Sequence, residues 1–283
     1  MSLRVPEAML SILVDPKTKQ PLHPELREAC GDCECSRRSC GQQQTVVFTD
    51  EQKNTDYPFV DGIVHMLKDG DISGKNMRYQ ELYDRIAFWY APLCRLGQWM
   101  FGGRHKKGKF FDCTAEFDIQ PGQRVLEVSV GSGDKLAQMP EGIEFYGIDI
   151  SLGMLSQSHK KALSTKFPVL LAQAKAEALP FADNSFDVVF HVGGINFFSD
   201  KAAAISEMIR VAKPGALILI SDETEELAKK GEKTFFAKQF FVNRDEVIVP
   251  PVELVAKHIP RNLIHLEYCY DNTLYFITFK KPL

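Results

Sequence analysis

The residues best suited to chemistry begin at Val125-Leu126-Glu127-Val128-Ser129-Val130-Gly131-Ser132-Gly133-Asp134, an apolar run that ends in an acid and passes into a loop of small residues. β-branched residues introduced by Pro121-Gly122 read as a buried parallel strand, and Gly131 and Gly133 let backbone approach a ligand without a Cβ in the way. The loop is expected to enter a helix at Asp134-Lys135-Leu136. A second apolar strand, Glu144 to Ile150, carries Asp149 about 20 residues past the glycines, where an acid can accept both hydroxyls of a ribose. The pair fits an adenosine-bearing ligand. A dinucleotide would also need its pyrophosphate on a helix N-terminus and a third glycine where this chain has Leu136, so a nucleoside without phosphate suits the loop better.

Further segments follow in a fixed order: Tyr83-Asp84-Arg85-Ile86-Ala87, the loop above, Gly147-Ile148-Asp149-Ile150-Ser151 with Met154-Leu155, Ala176 to Phe181, Phe186-Asp187-Val188-Val189-Phe190, and Met208 to Gly215. In that order, over residues 79 to 223, they resemble the class I S-adenosylmethionine-dependent methyltransferases, and within them the ubiquinone/menaquinone-biosynthesis type C-methyltransferases. The resemblance implies S-adenosylmethionine as cofactor, with Glu127, Gly131 and Gly133 for its methionine part, Asp149 for the ribose, and Ile150 with the segment around Ala176 for the adenine. Ser129, Met154, Glu177 and His191 complete the expected cofactor contacts. Two positions depart from the family pattern: Ser129 stands where it has its first glycine, and Lys175 where an acid would accept from the adenine amine.

These residues must be carried by a doubly wound α/β fold. Strands are expected at 124–130, 144–150, 168–173, 186–192 and 216–222, with helices between them such as 201–212, and this alternation means a mostly parallel sheet. A closing hairpin over 265–270 and 273–279 supplies an antiparallel strand, and the resemblance implies a seven-stranded, Rossmann-like sheet. The chain divides into a small N-terminal domain over 1–70, a helical cap over 71–115 and the cofactor-binding domain over 116–283. The first region resembles the short zinc ribbons found beside methyltransferases, but has Asp15-Pro16-Lys17-Thr18 where the ribbon has Cys-Pro-x-Cys. The junction from Lys68 to Gly74 is polar and suited to a hinge, so the N-terminal region is expected to be a lid that can be removed without loss of cofactor binding.

At 283 residues, 45% hydrophobic and 25% charged, the chain has the composition of an ordinary globular protein, with no apolar run long enough to span a membrane. The cytoplasm is the expected compartment. A formal net charge of −3 argues against nucleic acid as partner, although residues 75–115 set eight cations against three carboxylates. Cys30, Cys33, Cys35 and Cys40 are dense enough to offer four thiolates to zinc, yet structural zinc usually joins two separated knuckles, so free thiols are the competing reading. Cys94, Cys113 and Cys269 are isolated.

Methyl transfer needs an aligned nucleophile and exclusion of water more than it needs acid–base groups. Open parallel sheets take their substrates at the carboxyl ends of the strands, here His191-Val192-Gly193-Gly194-Ile195-Asn196-Phe197-Phe198. His191 is the candidate base and Asn196 the candidate orienting group, with Gly193-Gly194 marking close backbone approach. Phe235, Phe236, Phe240 and Phe241, with Phe197 and Phe198, either rim an apolar substrate or pack the core, and the 104–109 basic run either meets an anionic substrate or is solvated. The expected function is methylation of a small-molecule acceptor. RNA methylation and a catalytically silent binding subunit are the alternatives, and the N-terminal region, with eight cations against eleven acids, is a poor RNA-recognition module.

Overall fold

A computed structural model describes residues 6–28, 44–52, 54–101, 117–232, 247–269 and 272–283. Five parallel strands form its centre: β5 (Arg124–Val128), β6 (Glu144–Asp149), β7 (Val169–Gln173), β8 (Phe186–Val192) and β9 (Ala212–Glu223). They lie in the order β7-β6-β5-β8-β9. The chain therefore winds outward from β5 in one direction, then crosses to β8 and winds in the other, which opens a crevice at the carboxyl ends of β5 and β8. The hairpin of β10 (His265–Cys269) and β11 (Leu274–Lys280) adds β11 antiparallel to β9, which completes the expected seven strands.

The sheet does not stop there. β1 (His23–Glu28), β2 (Gln44–Thr49), β3 (Asp56–Val60) and β4 (Ile63–His65) form an antiparallel meander, and β4 pairs in parallel with β7 through Ile63↔Leu171, Val64↔Ala172 and His65↔Gln173. Eleven described strands thus share one sheet. Asp61 and Gly62, both at positive φ, make the two-residue turn between β3 and β4, and a Cβ on Gly62 would lie 2.1 Å from the His159 ring. The hairpin docks on a helix of the core at a point where only glycine fits.

Residue 70 separates no second core. Met9, Leu10 and Leu13, together with Phe48 and Val64, are buried in the same cluster as Leu126, Tyr146 and Leu170. Two backbone bonds, Val14 N to Pro180 O at 3.0 Å and Ala182 N to Ile12 O at 2.8 Å, fasten the first turn to the catalytic half, and Lys19 reaches Glu207 at 2.8 Å. The ribbon-like turn organises itself without a metal pair. Asp15 accepts from the backbone N–H of Lys17 and Thr18 and from the Tyr57 hydroxyl, at 2.7 to 2.8 Å. A buried carboxylate with three donors holds the turn closed.

After the one-turn helix α1 (Glu7–Leu10), helix α2 (Gly74–Phe101) crosses toward α3 (Leu152–Ala162), while α4 (Lys201–Val211) covers the opposite face with Ala204, Ile205, Met208 and Val211 inward. Ser151 caps α3 by accepting from Met154 N, and Asp200 caps α4 by accepting from Ala203 N. Expected strand and helix bounds are met to within a few residues, except that β9 starts at Ala212, ahead of Pro214. The helix expected from Asp134 is only a single 3₁₀ turn over Leu136–Gln138, because Pro140 and Gly142 cut it short.

Candidate donor site and the acceptor crevice

Glu127 ends its strand almost wholly buried, and its Oε2 meets no hydrogen-bond partner. Burial pushes its carboxyl well above the usual range, with the positive charge of Lys135 opposing. After β5 the chain turns through three positive-φ residues, Ser129 at +62°, Gly131 at +52° and Gly133 at +73°. The two glycines serve different ends. A Cβ on Gly131 would meet only the Met154 methyl, 3.5 Å away, whereas one on Gly133 would strike Ser158 Oγ at 2.6 Å and Leu136 at 2.9 Å. Gly131 leaves room for a ligand; Gly133 lets the loop close on α3.

Asp149 lies in an inner strand, between β5 and β7, and its carboxylate is not unpaired: Oδ2 accepts from Gly131 N and Oδ1 from Ser151 N, both at 2.9 Å. Each oxygen keeps a second lone pair, so two hydroxyls can still be received. Burial raises its pKa to about 6, against the lowering effect of those backbone bonds. Beside it, the Ile150 carbonyl accepts from Gln173 Nε2 in β7 and from Gln80 Nε2 in α2, both at 3.1 Å.

Helix α2 therefore belongs to the site. Asp84 Oδ1 accepts from Ser151 Oγ and from Gly153 N, so a side chain of α2 orders the first turn of α3. A Cβ on Gly153 would come within 2.9 Å of Ala87 and 3.2 Å of Asp84 backbone, a contact that brings the two helices together. Tyr79 stacks on Phe197 at 4.2 Å and joins α2 to the loop after β8. The segment after β7 fastens the connector in front of α2: Met66 N donates to Gln173 O at 2.9 Å, Lys175 Nζ to Asp71 O at 3.2 Å, and Asn76 Nδ2 to Glu177 Oε1 at 2.9 Å. The expected hinge is stitched down along its length.

Glu177, expected at the cofactor, instead holds Asn76 and the backbone N–H of Ser199 and Asp200. Met154 and Ala176 are buried, and Ile150 is half-buried at the end of β6. Lys175, which stands where the family pattern has an acid, donates to the connector carbonyl of Asp71.

On the other side of the crevice, His191 is fully buried, donates from Nδ1 to Val128 O at 2.9 Å, and packs against Phe198. That bond fixes the tautomer and leaves Nε2 a bare acceptor without a partner. Burial lowers its pKa, so the ring is neutral near pH 7. Asn196 donates from its backbone N to Asp222 at 2.9 Å and from Nδ2 to Glu223 O at 3.2 Å. Gly193 and Gly194 both hold positive φ, and a Cβ on Gly193 would meet nothing within 4 Å.

The family description of a methyltransferase domain matches residues 126–220. A ubiquinone/menaquinone biosynthesis C-methyltransferase of Stenotrophomonas maltophilia is 32% identical over 176 residues, covering 59% of this chain and 68% of that protein. The chain belongs to the class I S-adenosylmethionine-dependent methyltransferases. A Cupriavidus metallidurans protein of the same description is 34% identical over 53% of this chain, and the match spans 62% of that relative's length. Among solved structures, Haemonchus contortus phosphoethanolamine N-methyltransferase 2 in complex with S-adenosyl-L-methionine is 18% identical, covers 75% of this chain and 61% of its own, and has a TM-score of 0.51, a likeness of fold.

Within this methyltransferase, sequence reasoning passed over Gln80 and Asp84 as ligand-side residues, although Asp84 sits inside a recognised segment. It also missed Asp222 and Glu223, acids that directly follow the apolar run Ala216 to Ser221. Cys30, Cys33, Cys35, Cys40, Cys113, the 104–109 run, Phe235, Phe236, Phe240 and Phe241 lie outside the described residues. Among the described residues no cluster of His, Cys, Asp or Glu is arranged to hold a metal, no helix is long and apolar enough to cross a membrane, and Cys269 is half-buried.

Proposed function

We propose that the protein transfers a methyl group from S-adenosylmethionine to a small-molecule acceptor, in line, across the crevice at the ends of β5 and β8. The observation that carries this reading is the pair of buried carboxyls, Glu127 with an unpartnered Oε2 and Asp149 with spare lone pairs, around the open backbone of Gly131. The first suits an ammonium, the second a ribose diol, and the short turn over Leu136–Gln138 suits a nucleoside without phosphate.

The cofactor's sulfonium supplies an already activated methyl group, so the protein's part is alignment and dryness. Glu127 and Gly131 would hold the methionine end, Asp149 the ribose, and Ile150, Met154 and Ala176 the apolar base. Helix α2, through Tyr79, Gln80 and Asp84, covers the donor from solvent. Where the acceptor must lose a proton, the bare Nε2 of neutral His191 is the group able to take it, with Asn196 Oδ1 as the orienting acceptor. The C-methyltransferase relatives put carbon, beside oxygen, among the acceptor atoms to test.

A small molecule is favoured over RNA because the described cations of the N-terminal region are engaged: Lys17 pairs with Asp71, Lys19 with Glu207, Arg27 with Glu25 and Asp56, and Lys68 lies over the Tyr57 ring. The test supplies methyl-labelled S-adenosylmethionine together with separated metabolite and RNA fractions. Label is expected in the small-molecule fraction. Label confined to RNA would overturn the substrate class, and tight cofactor binding without transfer to any fraction would favour a silent binding subunit.

A further inference from the structure

The sheet ends at β10, which pairs with β11 on one side and with no other strand among the described residues on its outer side. Such an edge offers a row of backbone N–H and C=O groups to another strand unless it is blunted. At the opposite end of the sheet β1 carries Pro24, which has no N–H to offer, whereas β10 and the extended Ile264 before it contain no proline. Side chains alternate along β10. Ile264, Leu266 and Tyr268 share one face; the first is buried in the core cluster that holds Tyr275, and the second packs against it. His265 and Glu267 share the other face, their side chains 71% and 56% exposed and their Nε2 and Oε2 3.9 Å apart.

This alternation restricts how a second copy of the chain can join the edge. Parallel pairing turns one sheet over and sets the apolar face of one copy beside the charged face of the other. Antiparallel pairing, made by a two-fold axis normal to the sheet, keeps like faces together, and some residue must then stand opposite its own copy. Centred on His265 or on Glu267 the pairing opposes like groups. Centred on Tyr268 it sets Glu267 against Cys269, without a cation. Leu266 alone, among centres within β10, sets each His265 against the partner's Glu267, and it brings Leu266 to its own copy and Tyr268 to the partner's Ile264 on the apolar face.

We propose that the protein forms a two-fold dimer through β10, paired antiparallel about Leu266, so that two sheets become one. The axis reverses the strands, and the two crevices therefore open at opposite ends of the joined sheet, each donor site unchanged. The proposal does not depend on which acceptor is methylated. Five strand residues a side make an interface smaller than the roughly 1,200 Å² at which stable complexes begin, so the dimer is weak and forms at high protein concentration.

The experiment is sedimentation equilibrium of the full chain at pH 6 and low salt, from about 5 to about 500 μM, where mass action should show a reversible monomer–dimer equilibrium. The axis writes every substitution into the interface twice. Glu267→Lys, which sets a cation against His265 at two places, should weaken Kd at least about tenfold, as should His265→Glu, which opposes two acids at two places. The double variant His265→Glu/Glu267→Lys restores the opposite charges and should return Kd to within about threefold of the unmodified protein. Urea unfolding of each variant checks that it is folded. A monomer at every concentration would overturn the proposal, and that result needs no variant. A dimer that the single reversals leave intact would place the interface elsewhere and overturn it as well, as would one that they break and the double variant fails to restore.

Discussion

Asp149→Ala separates the ligand-binding role of this carboxylate from its structural one. In the folded protein both oxygens already accept a backbone N–H, and each has one lone pair left for a ribose hydroxyl. Loss of hydrogen bonds to a charged acceptor should weaken S-adenosylhomocysteine binding by ~1.5 to 3 kcal/mol, about 10- to 150-fold in Kd. Stability should move the other way or hardly at all. With its pKa raised to about 6, the folded form keeps a proton where the unfolded chain has released it, so this group favours folding at low pH and that contribution is lost as pH rises from about 4 to about 6. Removing the group at pH 7 takes away an unfavourable ionisation together with the two backbone acceptors. Because the ribose needs the ionised form, affinity in the unmodified protein should fall roughly tenfold between pH 7 and pH 5, and Asp149→Ala should flatten that profile. Calorimetry across that range, with denaturant unfolding of both proteins, is the assay. Affinity of the variant within about twofold of the parent at pH 7, or the same pH profile in both, would refute the assignment.

Ser129 holds a left-handed φ of +62° where a glycine would be unstrained, so Ser129→Gly should raise stability by about 0.5 to 1 kcal/mol, read from the urea midpoint; a lower midpoint would mean that the hydroxyl makes a contact worth more than the strain. Deleting residues 1–70 should leave an insoluble or aggregating chain, because it strips β4 from β7 and removes Met9, Leu13, Phe48 and Val64 from the shared core; a soluble truncated protein with unchanged S-adenosylhomocysteine affinity would return this region to the role of a detachable lid.

What the sequence made legible was local and periodic. The run Val125 to Gly133 declares a strand and a turn by its own residues, and the strands on either side of it follow from apolar runs with turn signals between them. The places where that reading stopped are contacts between segments distant along the chain. Nothing in Ile63-Val64-His65 announces β7 as its partner, and the lid and hinge reading followed from the polar look of Lys68 to Gly74 alone. The backbone donors of Gly131 and Ser151 to Asp149 come from loops whose placement the sequence does not announce. Glu177 was read by its position in a motif, while its bonds run to Asn76 and to the loop after β8. The acids Asp222 and Glu223 were visible as an abrupt change of polarity at the end of β9, a signal that could have been weighed beside His191.

The two elements added to the seven-stranded sheet, the N-terminal strands and α2, converge on one short stretch of backbone. Gln173 pairs with His65 of β4 in the sheet and gives its side-chain N–H to Ile150 O; the same oxygen takes a second bond from Gln80 of α2. Two residues on, Lys175 holds the Asp71 carbonyl while Asp71 pairs through its side chain with Lys17, in the turn that Asp15 organises. Glu177 then ties the start of α2 to the loop that carries Asn196. A path of hydrogen bonds thus runs from the turn at Asp15, through the segment 173–177, to both sides of the crevice. At position 175, where the family pattern has an acid, this chain has a lysine whose ammonium donates to the Asp71 carbonyl of the connector. The N-terminal strands are part of the frame that holds Ile150 and the segment 173–177 in place.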